Sequence, residues 1–267
     1  MSIPIETVRT DDFEMRFFRF GHGERAFVIL PGLSVQSVMG AAAGIAAAYA
    51  DFAGDYTVYV FDRRTDLPEH YSVYQMGLDT AAAMRALGLL GADVFGASQG
   101  GMMAQVIAIE APELVRKLIL GSTTSRFKPE DAPVFEEWLR LARAKDGPAL
   151  YEAFGRAIYP EGVFTQYRDV LRAAGDTVSA EDFRRFVILT EGIWGFDVTD
   201  KLNRIQCPTL VIGVYEDAVL ESDATMEIAE KLDEKPGFRL FLYTGYGHAA
   251  FDTAPDYRAR MLRFLRA

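Results

Sequence analysis

The segment Gly96-Ala97-Ser98-Gln99-Gly100-Gly101 constrains this chain more than any other. The apolar stretch Ala92, Val94, Phe95 before it reads as a strand, and Met102 to Glu110 after it reads as a helix. A serine flanked by glycines at such a strand-to-helix turn is the pattern of a nucleophile elbow. The turn puts the serine in a strained backbone conformation with positive φ and brings strand and helix so close that neighbouring side chains must be minimal. Gly96 and Gly100 meet that need. The turn also leaves the Gln99 amide free at a helix N-terminus, where hydrogen bonding and the helix dipole favour a developing anion. Other uses of a Gly-rich turn demand other residues. A dinucleotide site needs G-x-G-x-x-G after the first strand, and a phosphate-binding loop needs Gly-Lys-Ser or Gly-Lys-Thr; the chain has neither.

Around this turn the chain alternates strand and helix signals. Phe13 to Phe20, Ala26 to Leu30 and Tyr56 to Phe61 read as strands, with the Ala-rich stretch Val38 to Phe52 as a helix between the last two. Strand, helix, strand in that order implies a right-handed crossover and parallel pairing. The pattern continues with a helix over Tyr74 to Leu90, strands at Ala92 to Gly96 and Val115 to Gly121, then strands at Thr209 to Gly213 and Arg239 to Tyr243 and a helix over Asp256 to Leu265. The expected fold class is therefore α/β: a mostly parallel open sheet with helices on both faces. From 125 to 203 the strand signal disappears. Val134, Trp138 and Leu141, then Leu150, Phe154 and Ile158, recur at helical spacing. The expected organisation is a core of residues 1–124 and 204–267 interrupted by a helical cap, 125–203, over the carboxyl ends of the strands, where open α/β sheets place ligands.

Composition narrows the class further. In 267 residues, half of them hydrophobic, there is enough chain for a large core. A formal charge of -10 argues against nucleic acid as a partner, because that affinity comes from clustered Lys and Arg. Gly40 to Ala50 is too short to span a bilayer and reads as a buried helix, so no membrane partner is expected. The N-terminal stretch has no basic region followed by an apolar run, and the single cysteine, Cys207, reads as a small buried residue with no metal-ligand spacing around it, so a cytoplasmic location is the expectation. A small-molecule substrate is the expected partner, and the sequence leaves open whether the chain is a homo-oligomer.

A serine nucleophile needs a base, and histidine exchanges protons easily near neutral pH. Three histidines are present. His22 falls in a turn and His70 in a loop, whereas His248, in Gly245-Tyr246-Gly247-His248, follows a late strand at the sheet edge that also carries Ser98. A carboxylate should orient the imidazole and precede it in the chain. Asp217 is the choice, just past the strand Thr209 to Gly213, with Glu216 and Asp223 as competitors. The second amide of an oxyanion hole is expected from Leu33, in Leu30-Pro31-Gly32-Leu33-Ser34, paired with that of Gln99; Pro31 itself has no amide hydrogen to give.

With Ser98, Asp217 and His248 in that order, and with Leu30-Pro31-Gly32, Cys207-Pro208-Thr209-Leu210-Val211-Ile212-Gly213 and Gly247-His248-Ala249-Ala250, the chain resembles the α/β-hydrolase superfamily over nearly its full length. The resemblance implies a helical cap and neither metal nor organic cofactor. Two departures stand out. Pro31-Gly32 replaces the His-Gly of many relatives, and Asp62-Arg63-Arg64-Thr65-Asp66 replaces a Gly-rich turn, which places charges near the mouth of the site. Dehalogenases and epoxide hydrolases of this fold use an aspartate nucleophile, so Ser98 points to an acyl or carbonyl-centred reaction. The first expectation is a carboxylic-ester hydrolase acting through an acyl-enzyme on a small apolar substrate. Carbon-carbon hydrolysis, an aminopeptidase using Glu136, Glu137, Glu152 or Glu191, and a ligand receptor without turnover are the alternatives. Trp138, Phe154, Tyr159 and Trp194 are the candidate substrate-binding residues, although aromatics at helical spacing serve equally as core.

Overall fold

The computed structural model of the chain describes residues 3–220 and 223–267. Its strands are β1 (Ile5–Arg9), β2 (Glu14–Gly21), β3 (Arg25–Leu30), β4 (Tyr56–Arg64), β5 (Ala92–Ala97), β6 (Val115–Gly121), β7 (Thr209–Val214) and β8 (Arg239–Tyr243). They form one eight-stranded sheet in the order β1-β2-β4-β3-β5-β6-β7-β8. β1 and β2 pair antiparallel to their neighbours; every pairing from β4 through β8 is parallel. The helices are α1 (Ala42–Ala48), α2 (Val73–Ala86), α3 (Gln99–Glu110), α4 (Ala132–Arg143), α5 (Gly147–Ile158), α6 (Glu161–Gly175), α7 (Ala180–Glu191), α8 (Ala224–Leu232), α9 (Ala250–Thr253) and α10 (Tyr257–Arg266).

The central strands read as unbroken apolar runs because both faces of the sheet are covered. Val28 and Leu30 of β3, Val94 of β5 and Leu118 of β6 pack into a core with α2 and α3. The alternate residues Phe27, Ile29, Phe95 and Ile119 pack into a second core with Tyr257 and Met261 of α10. Helix α3 is apolar on every side and buried along all but its last residue, as expected of a helix at the centre of a core.

Several elements differ from expectation, each for a local reason. Strand β1 carries no alternating apolar signal, because Val8 is its one buried residue; its partner β2 supplies the pairing. The Ala-rich helix is broken into 3-10 turns on either side of α1 and is mostly exposed, with Met39, Ala42, Tyr49 and Phe52 as its buried residues. Alanine there serves helix propensity rather than burial. Cys207 is half-buried, and burial pushes its thiol up to about 11. Strand β4 runs on through Arg64, so Asp62 and Arg63 are strand residues and both are buried, not charges at the mouth. No helix among the described residues is long and apolar enough to cross a membrane.

Helices α4 to α7 lie between β6 and β7 in the chain. The outgoing and returning segments pair with each other at their base: the Phe127 amide donates to Phe196 O at 2.8 Å and the Val198 amide to Ser125 O at 2.8 Å. Above this neck the helices reach two loops of the core, one after β3 and one after β8. The Ala249 amide donates to Ile158 O at 2.9 Å, and the Tyr151 hydroxyl donates to Gln36 Oε1 at 2.8 Å.

Close backbone approach decides which glycines are irreplaceable. A Cβ on Gly100 would stand 1.9 Å from Leu30 O, and one on Gly96 would stand 2.2 Å from Gly100 O. Backbone atoms cannot yield that distance. Gly44, inside α1, has open space around it. Gly100→Ala is therefore expected to cost about 3 kcal/mol or prevent folding, whereas Gly44→Ala should gain about 0.5–1 kcal/mol from helix propensity. Urea denaturation of the two variants checks both signs.

Candidate active site

Ser98 sits between β5 and α3 at φ 52° and ψ -122°, a conformation that L residues adopt only when the surroundings enforce it. Enforcement comes from the end of β6 and the residues just past it: the Ser98 amide donates to Gly121 O at 2.9 Å, and the Thr123 hydroxyl donates to Ser98 O at 2.7 Å. The strained turn lifts the serine hydroxyl above the sheet edge. There Ser98 Oγ lies 2.9 Å from His248 Nε2.

His248 is buried and follows Gly247, whose φ of 65° turns the chain back toward the serine after β8. A Cβ on Gly247 would meet Ile158 O at 2.9 Å, so the turn fits under the end of α5. The other ring nitrogen, Nδ1, lies 2.9 and 2.8 Å from the two oxygens of Asp217. With Nδ1 as donor to the carboxylate, Nε2 is left free to accept the serine proton. Asp217 is itself held, since its Oδ1 accepts the amides of Val219 at 2.9 Å and Leu220 at 3.1 Å. The competing acids are occupied elsewhere: Glu216 accepts the Gly245 amide at 2.9 Å, and Asp223 pairs with Lys128 at 2.9 Å. His22 and His70 are exposed.

The loop Pro31-Gly32-Leu33 passes directly beside the serine. A Cβ on Gly32 would lie 3.2 Å from Ser98 Cβ and 3.3 Å from Ala97 O. Neither the Leu33 nor the Gln99 amide has an acceptor among the described residues. Two unpaired N–H groups, one on this loop and one at the first position of α3, are the arrangement that receives an oxyanion.

The cavity over Ser98 and His248 encloses about 220 Å³. Its walls are largely apolar, with Leu33 and Val38 from the segment after β3, Phe135, Trp138, Phe154 and Ile158 from α4 and α5, Val219 from the loop that carries Asp217, and Phe251 from α9. Trp138 and Phe154 face each other with ring centroids 4.6 Å apart. The other two aromatic candidates stand elsewhere. Tyr159 lines two neighbouring surface grooves, and Trp194, 39% exposed, packs on Phe127 with ring centroids 4.9 Å apart. Phe135 was missing from the sequence-based candidates, yet it lies three residues before Trp138, which places both on one helix face and could have flagged it.

Beneath the loop lies a charged cluster. Arg63 Nη2 donates to Gln99 Oε1 at 2.8 Å and to Pro31 O at 3.0 Å, with Gly32 O at 3.5 Å. Burial pulls the Arg63 guanidinium down to about 10, with Asp62 working against that shift. Asp62 accepts from Ser37 and Arg185; burial pushes its carboxyl up, but Arg185, Ser37 and Arg63 together outweigh burial and leave it below the usual carboxylate range. No group of His, Cys, Asp and Glu suited to a metal ion occurs among the described residues.

Comparison with known proteins agrees with this architecture. RutD of Rhizobium rhizogenes, a candidate carbamate hydrolase, is 27% identical over 225 residues, covering 80% of this chain and 84% of its own. MGS-M2, an α/β-hydrolase enzyme from a deep-sea metagenome library of the Medee basin, superposes with a TM-score of 0.86 at 18% identity, over 98% of each chain. The enol-lactonase of Burkholderia xenovorans LB400 superposes with a TM-score of 0.81 at 19% identity, over 99% of this chain and 100% of its own. The profile of the alpha/beta hydrolase family matches residues 27–260, and the chain belongs to that family.

Proposed function

We propose that this protein is a serine hydrolase that cleaves a carboxylic ester, or a closely related acyl bond, of a small apolar substrate. The observation that carries the reading is the unbroken relay from Asp217 through His248 to Ser98, with every link between 2.8 and 2.9 Å, beside two unpaired amides.

The chemistry follows from the geometry. His248 Nε2 takes the proton as Ser98 Oγ bonds to the acyl carbon, and Asp217 keeps Nδ1 protonated and stabilises the imidazolium. The carbonyl oxygen, now negative, is received by the amides of Leu33 and Gln99. When the tetrahedral species collapses, His248 gives its proton to the leaving oxygen and the acyl group stays on Ser98. Water then repeats the sequence, with His248 as base again, and frees the acid.

The cavity supports the substrate class. About 220 Å³ walled by Phe135, Trp138, Phe154 and Val219 suits a short or medium apolar group next to the acyl carbon. The glutamates on which an aminopeptidase reading rested lie outside that lining: Glu137 pairs with Arg140, Glu152 with Arg168 and Arg172, and Glu191 with Arg143, while Glu136 is exposed. Asp252 contributes a carboxylate at the exposed rim. A carbamate and an enol-lactone, named for two similar proteins, both carry an acyl carbon bonded to a heteroatom, which fits the same chemistry.

Nitrophenyl esters of increasing acyl length test the reading. Activity should peak at a short acyl chain, and Ser98→Ala should lower turnover by about 10⁴-fold or more; turnover that survives this substitution, or none with any ester, would contradict the proposal. Trp138→Leu should move the optimum toward longer chains and improve kcat/KM for them by about tenfold. An unchanged chain-length profile would place the acyl group elsewhere.

A further inference from the structure

Arg63 is a buried cation that the reaction above does not use, and it touches both halves of the oxyanion hole. From Nη2 it reaches the carbonyls of Pro31 and Gly32 on one side and the Gln99 side chain on the other. The carbonyl of Gly32 and the amide of Leu33 are opposite ends of one planar trans peptide. A donor that draws the carbonyl down toward β4 therefore turns the N–H up, toward Ser98. Gln99 is held from both ends of its side-chain amide, since Nε2 donates to Leu189 O of α7 at 2.7 Å while Oε1 accepts from Arg63 at 2.8 Å. Gln99 is completely buried. Its side chain thus has one available orientation, and the backbone amide it carries is fixed with it.

We infer that Arg63 is a positioning residue for the oxyanion hole, setting the Leu33 and Gln99 amides through Pro31, Gly32 and the Gln99 side chain. This deepens the proposed hydrolase reading and rests on it for its consequence in catalysis, though not for its consequence in structure. The Asp62–Arg185 ion pair completes the device, because Arg185 also donates to Ser34 O at 3.3 Å. Helix α7 therefore reaches the same loop from above that Arg63 holds from below. All three Arg63 contacts come from one nitrogen, Nη2, while Nε is buried without a hydrogen-bond partner among the described residues; a guanidinium suits the place better than an ammonium because it keeps its charge when buried.

The test compares wild type with Arg63→Met, Arg63→Lys, Gln99→Leu and the Arg63→Met/Gln99→Leu double variant. Steady-state kinetics on the preferred nitrophenyl ester should show kcat reduced about 10²-fold in Arg63→Met with KM within a few-fold of wild type, the mark of an interaction made in the transition state. Arg63→Lys should recover part of the loss. Gln99→Leu, which leaves the backbone amide in place, should lose kcat similarly, and the double variant should fall little below either single one because both act through one network. Amide hydrogen exchange over residues 31–34 and 98–101 reads the positioning without any turnover. Exchange there should quicken at least tenfold in Arg63→Met and Gln99→Leu, while β3, β5 and β6 stay protected. If Arg63→Met does not fold, Gln99→Leu and Arg63→Lys carry the same comparison. A change confined to KM, strictly additive losses, or unaltered exchange in the two segments would overturn the inference. A wild type that turns over no ester, with the exchange response still seen in the variants, would leave the positioning standing and remove the hydrolase reading instead.

Discussion

The close packing of three backbone segments, the end of β3, the turn after β5 and the first residues of α3, is the constraint on which the site depends. Gly100 touches the carbonyl of Leu30, and Gly96 touches the carbonyl of Gly100, with no room for a side chain at either place. This contact forces Ser98 into its strained backbone conformation and at the same time delivers the Pro31-Gly32-Leu33 loop to the serine. One packing event thus sets the serine proposed as nucleophile and both amides proposed to receive the developing charge. The strain at Ser98 is retained because Gly121 at the end of β6 and Thr123 just past it hold the turn and because α3 is buried on all sides.

The helical insertion shares the construction of the site. Phe135, Trp138, Phe154 and Ile158 make much of the apolar wall, Ile158 O fixes the loop after His248, and Leu189 O fixes the side chain of Gln99. The Asp62–Arg185 pair, with Asp62 buried and Arg185 partly so, ties α7 to β4. Pairs of this kind contribute little net stability against their desolvation, but breaking one side leaves a charge uncompensated, which favours a single arrangement of the parts. Precise placement is what an oxyanion site requires, since its donors act only when already aimed at the developing charge.

Much of this was legible in the sequence, and the reason differs from residue to residue. Ser98 and His248 stand in short segments whose glycines are demanded by local backbone geometry, so their neighbours announce them. Asp217 and Glu216 stand side by side just past β7, so the sequence left Glu216 as a competitor; the difference lies in the direction of the side chain, with Glu216 turned to the Gly245 amide. The parallel strands were visible as apolar runs, whereas β1 was not, because a strand with one buried residue has no period to read. Asp62 and Arg63 were misplaced because charge in sequence suggests solvent. Their burial depends on partners about 30 and more than 120 residues away, Pro31 and Arg185, and no local pattern encodes such pairings. Among the aromatics, helical spacing identified a face but not its destination: Trp138 and Phe154 face the serine, while Trp194 lies near the neck beside Phe127.

The central claim is that Ser98 carries the acyl group during turnover. Rapid mixing with a nitrophenyl ester, quenching in acid and mass spectrometry of the digested protein tests it directly. The account predicts a mass increase equal to one acyl group on the peptide that contains Ser98, formed in step with the first burst of nitrophenol and absent from Ser98→Ala. Hydrolysis that proceeds with no acylated peptide, or with the acyl group on another residue, would contradict it.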